Sequence, residues 1–225
     1  NRQPNSAGIS TNDKVDAVSA QVMHYLPEQS CMMRYDLTVT TATDTTSRQH
    51  CVFGKTYNDL KGDATFRMMA RLASRSPYCS KPLYYDPKLR TLWQCALPGQ
   101  TLEWHSGLTR QPELPHLLAR CIAAFHNSPI DGEAVYDFDT IFKQLDACLR
   151  LTATQEPSLH AAVTHLHENL AHSHGQIAWN HDRRGAVHLD LKMANLLVAQ
   201  DTVFLIDMDS AGLGDPIADT GSFIA

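Results

Sequence analysis

Strand-like alternation dominates the first hundred residues of the chain, and helical spacing dominates most of the remainder. Residues 16–26 (DAVSAQVMHYL) and 31–40 (CMMRYDLTVT) carry strand formers, with a turn at Pro27-Glu28-Gln29-Ser30 between them. A second turn, rich in Thr, Asp and Ser, covers 41–48 and leads into QHCVFGKTY at 49–57. Together these runs predict an antiparallel meander of three strands. Residues 63–75 (DATFRMMARLASR) then predict a helix, with Asp63 as N-cap and Phe66, Met69, Ala70 and Leu72 as its apolar stripe. Two further strands are expected at 82–85 (PLYY) and 89–97 (LRTLWQCAL), before the breaker Pro98-Gly99. Beyond it, residues 113–127, 138–152 and 157–174 show Ala- and Leu-rich helical spacing, and Gly175 marks a helix end. The pattern changes once more near the end, where AVHLD, NLLVAQ and VFLIDMD read as short apolar strands joined by tight polar connections. Residues 1–14 are polar and predict a flexible lead-in.

This layout predicts an α+β chain of two lobes. Residues 1–97 would form an antiparallel sheet with one helix, and residues 98–225 a mainly helical lobe carrying a short hairpin. A hinge near residue 97 would leave a cleft between them, where ligand sites tend to lie.

Composition narrows the function classes. The chain has 225 residues, 43% hydrophobic and 19% charged, which suits one or two compact lobes. Its formal net charge of −5, without Lys/Arg runs, does not suit a nucleic-acid binder. No stretch approaches the roughly 18 apolar residues of a membrane span, and no basic-then-apolar leader opens the chain. The six cysteines are widely spread with no C-x-x-C pair, which points to buried apolar residues in a reducing cytoplasm rather than to a zinc or redox site. Of the twelve histidines, His160, His165, His167, His172 and His174 crowd one helical region, and a solvated helix face accounts for them better than a metal site. Acidic residues at 131–139 form a solvated loop or face a cationic substrate.

Chemistry concentrates in residues 187–209 (VHLDLKMANLLVAQDTVFLIDMD). Asp190 is expected to end one strand, Asn195 to begin the next after a four-residue loop, and Asp207 to end the third. A hairpin between the last two would bring Asn195 and Asp207 together as oxygen ligands for a hard cation such as magnesium. Asp190 is then placed to accept the proton of an attacking hydroxyl, which is what phosphoryl transfer needs.

The run H-x-D-x-x-x-x-N, followed by a hydrophobic strand pair and I-D, resembles the catalytic and metal loops of the kinase superfamily. HLDLKMAN is similar to the H-R-D-L-K-x-x-N of protein kinases. The continuation IDMDSAGLGDPIADTGSFIA resembles the aminoglycoside phosphotransferases and their small-molecule kinase relatives, whereas the D-F-G and A-P-E segments of protein kinases are missing. The specific motifs cover residues 187–220, and the layout covers most of the chain.

The resemblance implies a bilobal protein-kinase-like fold and an ATP- and Mg-dependent transfer of the γ-phosphate to a hydroxyl of a small molecule, aminoglycoside-, choline- or sugar-like. It implies Asp190 as the base, Asn195 and Asp207 as magnesium ligands, and Lys55 in VFGKTY as the lysine that contacts ATP phosphates. Gln94, Ala96 and Leu97 would neighbour the adenine edge. Lys192 would neutralise the transferred phosphate or be solvated, His188 would brace the loop, Asp215 and Asp219 would brace the segment after the metal loop, and Asp209 would be a direct or indirect metal partner.

Two departures stand out. No Glu lies in residues 56–75 to orient Lys55, leaving Asp59 and Asp63 as the acidic candidates, and no glycine lies in the turn at 27–30 to let backbone amides approach phosphate. A catalytically weak pseudokinase, acting as a nucleotide-binding or scaffolding module, is the alternative these departures motivate. Relatives continue with more helices after the metal segment, so a truncated C-terminus is also expected.

Overall fold

The first three predicted strands form with nearly the expected bounds: Lys14–Leu26 (β1), Ser30–Thr40 (β2) and Ser47–Tyr57 (β3). The computed structural model describes residues 13–41, 46–74, 76–102, 112–130, 135–136, 138–176 and 184–224. Residues 1–12 of the predicted lead-in at 1–14 and most of the acidic stretch at 131–139 lie outside them, and Lys14 already belongs to β1. Helix α1 (Lys61–Ala73) follows, then β4 (Pro82–Asp86) and β5 (Thr91–Cys95). All five strands make one antiparallel sheet in the order β1-β2-β3-β5-β4. The turn at 27–29 has no glycine, and Glu28 takes the left-handed backbone instead (φ 59°). Asn58 stitches this turn to the end of β3, its backbone N–H donating to Gln29 O (3.0 Å) and its side chain to Glu28 O.

Helix α1 starts two residues before the predicted position, so Asp63 is not its N-cap. The N-cap is Leu60, without a side-chain cap, and Asp63 lies in the first turn, paired with Arg67 (2.5 Å). The Asp59 carboxylate accepts the Lys61 N–H (2.9 Å) and does the work expected of a cap. Near this start the helix packs tightly on the sheet through Gly62, where an added Cβ would lie 2.7 Å from rings of both Tyr57 and Tyr85. Gly62→Ala is therefore expected to destabilise the fold by about 1–3 kcal/mol, measurable as a lower urea midpoint at unchanged slope.

After β5 the chain leaves the sheet and makes β6 (Gln100–Thr101), which sequence periodicity did not predict because two residues are too few to show alternation. Gly99, at φ +109°, permits the bend, and a Cβ there would meet Val198 O at 2.5 Å. Helix α2 (Leu114–His126), strand β7 (Val135–Tyr136) and helices α3 (Phe138–Gln155) and α4 (His160–Gln176) follow. A single 3₁₀ turn at Pro157–Leu159 separates α3 from α4. His160, His165 and His172 of α4 are exposed, as a solvated face requires, whereas His167 is half-buried against the Phe142 ring of α3 (centroids 4.4 Å apart).

The terminal segment carries β8 (Gly185–Val187), β9 (Leu196–Ala199), β10 (Thr202–Leu205), β11 (Gly212–Gly214) and helix α5 (Ile217–Ile224). β9 and β10 form the expected hairpin, with β6 as third strand, while β11 joins β7 and β8 in a separate small sheet. One buried cluster binds these parts. It joins Tyr57, Met68, Met69 and Leu72 to Leu92, Leu114, Cys121 and Phe125, and these to Leu191, Leu196, Leu205 and Met208. Each large apolar side chain removed from water there contributes about 1.5–3 kcal/mol. The core runs from beneath the five-stranded sheet to the hairpin, and a Leu205 N–H bond to Tyr78 O (2.8 Å) adds a backbone tie.

Candidate active site

Two tight turns deliver the polar residues of the terminal segment. The first leaves β8 at Val187, so Asp190 lies three residues past the strand in a bend rather than at its end. Leu189 makes this bend in left-handed backbone (φ 60°). A 3₁₀ turn at Met193–Asn195 follows, and Asn195 therefore precedes β9 rather than opening it. The second turn follows β10, where Asp207 also adopts the left-handed region (φ 62°, ψ 60°). Asp and Asn tolerate that region better than other residues with a Cβ.

Asp190 stands among two donors. Asn195 Nδ2 donates to its backbone carbonyl (2.8 Å) and to Oδ2 (2.9 Å), while Lys192 Nζ reaches Oδ2 (2.8 Å) and Oδ1 (3.0 Å). Those bonds use the Asn195 amide nitrogen and leave its oxygen as a hard donor. The Ile206 N–H donates to Asn195 O (3.1 Å), which holds the Asp207 turn beside Asn195. The Asn195 and Asp207 oxygens suit magnesium, which prefers oxygen ligands and needs few from the protein when substrate and water complete its shell. Among the described residues no group of three or more His, Cys, Asp or Glu side chains is arranged to hold a metal.

Lys55 comes from the opposite side. Its ammonium lies 2.6 Å from Asp207 Oδ1 and 2.8 Å from Asp209 Oδ2. Neither Asp59 nor Asp63 is its partner, because the first accepts from its own helix start and the second binds Arg67. Burial works against the charge on Lys55, but the Asp209 and Asp207 carboxylates outweigh it and raise its pKa. Burial likewise works against ionised Asp207, and Lys55 reverses this, holding the carboxyl below its usual range. Tyr57, 4% exposed, donates its hydroxyl to Asp209 Oδ1 (2.7 Å). Burial first, then Asp209, pushes the phenol well above its usual value, so it stays a donor. Sequence reasoning missed Tyr57. The signal was present in VFGKTY, because positions two apart on a strand share one face.

Beneath the site, fully buried Asp219 braces the Asp190 turn. Its carboxylate accepts the N–H groups of His188 (2.8 and 3.0 Å) and Leu189 (2.7 Å), and His126 Nε2 lies 2.9 Å away. His188 is itself fully buried and donates from Nε2 to Ile206 O (2.9 Å), tying one functional turn to the other. Asp215 accepts the Ile217 N–H (2.9 Å) at the start of α5. The other predicted residues lie along the link from the large sheet. Gln94 is in β5 opposite Phe53, the Ala96 N–H is engaged by Cys51 O (3.4 Å), and Leu97 follows half-buried before Pro98. Among the described residues none of these three is hydrogen-bonded to Asp190, Asn195 or Asp207. Their connection runs through β6, which pairs with β9.

Comparison with known proteins agrees with this architecture. No curated protein matches the sequence. Among solved structures, a choline/ethanolamine kinase family protein from Mesorhizobium loti superposes with a TM-score of 0.63 at 16% identity, covering 91% of this chain and 63% of that one. Spectinomycin phosphotransferase APH(9)-Ia, solved with ADP and spectinomycin, gives 0.62 at 12% identity over 89% of this chain and 66% of its own. Aminoglycoside phosphotransferase APH(4)-Ia gives 0.67 at 16% identity over 91% and 71%. The chain thus spans about two thirds of the length of these structures, and at such identities the likeness establishes the α+β kinase-like fold. The sequence model of the phosphotransferase enzyme family (APH) matches residues 53–225, from β3 through both functional turns to the last residue, and the chain belongs to that family.

Proposed function

We propose that the protein transfers the γ-phosphate of ATP, with magnesium, to a hydroxyl of a small molecule of the aminoglycoside, choline or sugar kind. One observation carries this reading. A lysine from the large sheet pairs with Asp207, and the Ile206–Asn195 backbone bond holds that turn beside the Asn195–Asp190 pair. Asp190 would accept the proton of the acceptor hydroxyl, its carboxylate oriented by Asn195 and faced by the ammonium of Lys192. Lys192, 54% exposed, is free to swing toward the transferred phosphate. Asn195 Oδ1 and Asp207 would hold magnesium, which when bound neutralises charge on the phosphate oxygens. Lys55 would contact the phosphates, and Gln94, Ala96 and Leu97 would line the adenine edge. In this reading residues 1–97 serve as the nucleotide-binding lobe and 98–225 as the catalytic and substrate lobe.

The six free cysteines suit a reducing compartment, and we place the protein in the cytoplasm. Among the described residues no helix is long and apolar enough to cross a membrane. The test is ADP release measured with ATP, magnesium and a panel of aminocyclitols, amino alcohols and sugars. Acceptor-dependent ADP formation that stops on chelating magnesium is expected. Nucleotide binding without transfer to any acceptor would indicate a nucleotide-binding scaffold instead.

A further inference from the structure

Kinase-like sites need a fixed counter-charge for the phosphate-binding lysine, and a glutamate on the helix after β3 commonly supplies it. Helix α1 supplies none. Where it packs on β3 it carries Gly62, and the rings of Tyr57 and Tyr85 fill the space a Cβ would take. Asp63 points to Arg67.

The counter-charge comes from the other side of the site. Asp209 divides its two oxygens, Oδ2 to Lys55 (2.8 Å) and Oδ1 to the Tyr57 hydroxyl (2.7 Å). Lys55 and Tyr57 share a face of β3, and the ammonium lies 5.8 Å from the centre of the Tyr57 ring. Asp207 also touches Lys55 through Oδ1, but it is the proposed magnesium ligand, and the metal, when bound, would compete with Lys55 for its carboxylate. Asp209 can be the lasting partner, provided something fixes its rotamer, and a buried phenol 2.7 Å away does so.

We propose that Tyr57 and Asp209 together replace the helix glutamate, with Tyr57 a positioning residue that acts through Asp209 to hold Lys55 against the nucleotide phosphates. The proposal rests on the nucleotide-site reading above. Its geometry explains why Gly62 occurs where the helix crosses the strand: only a residue without a side chain lets the Tyr57 ring lie under α1 and reach Asp209.

The experiment is a double-mutant cycle on equilibrium binding of a non-hydrolysable fluorescent ATP analogue with magnesium present, so that Asp207 is engaged by the metal and the readout is independent of turnover. Wild type, Tyr57→Phe, Lys55→Ala and the double variant are compared, with thermal melts as a fold control. A hydrogen bond to a charged group supports an expected weakening of about tenfold in Tyr57→Phe, and no further weakening when Tyr57→Phe is added to Lys55→Ala. Where Tyr57→Phe melts too early for titration, Asp209→Asn replaces it in the same cycle with the same expectation. A Tyr57→Phe chain that binds like wild type, or one whose effect persists in full without Lys55, overturns the positioning role while leaving the nucleotide site standing. A wild-type chain that ignores the analogue, or binding that survives Lys55→Ala unchanged, overturns the nucleotide-site reading and this inference with it.

Discussion

Asp190→Asn is expected to lower phosphate transfer by roughly 10²–10⁴-fold, the usual contribution of a positioned general base. The melting temperature and the affinity for ATP should stay close to wild type. Asparagine keeps an oxygen for the Asn195 amide and fits the same space, but its amide cannot take a proton. The lost Lys192 contact is half exposed, and such ion pairs contribute between nothing and about 1 kcal/mol. A coupled ADP assay under saturating ATP and acceptor reads the effect as a fall in kcat. Turnover retained at the wild-type level would remove Asp190 from the mechanism, and with it the main support for hydroxyl phosphorylation.

Asp219→Ala is expected to produce the largest loss of stability, about 3–5 kcal/mol, read as a fall in melting temperature of roughly 6–20 °C. The substitution orphans the buried N–H of His188 and the half-buried N–H of Leu189 together, and it deprives His126 of its partner. Leu189 also loses the bond that holds it in left-handed backbone, so the Asp190 turn should loosen and activity should fall more than stability alone explains. The same carboxyl sets an acid limit. Burial opposes its ionisation, but hydrogen bonds from His126, His188 and Leu189 prevail, and the folded pKa lies below the ordinary value of 3.8. Its contribution is therefore complete above that ordinary value and is lost as the pH falls through the lower folded one. Asp219→Asn should accordingly narrow the difference in melting temperature between about pH 5 and about pH 3. A variant as acid-sensitive as wild type would show that other carboxyls govern that limit.

Long elements were legible because their apolar spacing is long enough to repeat. β1, β2, β3 and α1 all emerged within about two residues of their predicted bounds, as element ends generally do, and the β9–β10 hairpin followed from two short apolar runs flanking a polar pair. Strands of two or three residues, β6, β7 and β11, carry no readable period. Long-range pairing fixes them instead, as when β11 bonds to β8 and to β7, which is far away in sequence. At the site, the order of Asp190, Asn195 and Asp207 predicted their neighbourhood, because one short segment contains all three. The partners of Lys55 were not legible. These two carboxylates, Asp207 and Asp209, lie more than 150 positions along the chain, and the expectation of a helix carboxylate pointed to the wrong element. The strand ends assigned to Asp190, Asn195 and Asp207 also failed, since left-handed Leu189, a 3₁₀ turn and the close of β10 at Leu205 interrupt what periodicity alone extends.

The backbone at Asp207 imposes a double filter on its codon. With φ and ψ both near +60°, only glycine, asparagine and aspartate sit there at ease, and only the last adds a charge. An alanine scan at this position consequently mixes conformational stress with missing charge. Asparagine is the replacement that isolates the electrostatic loss.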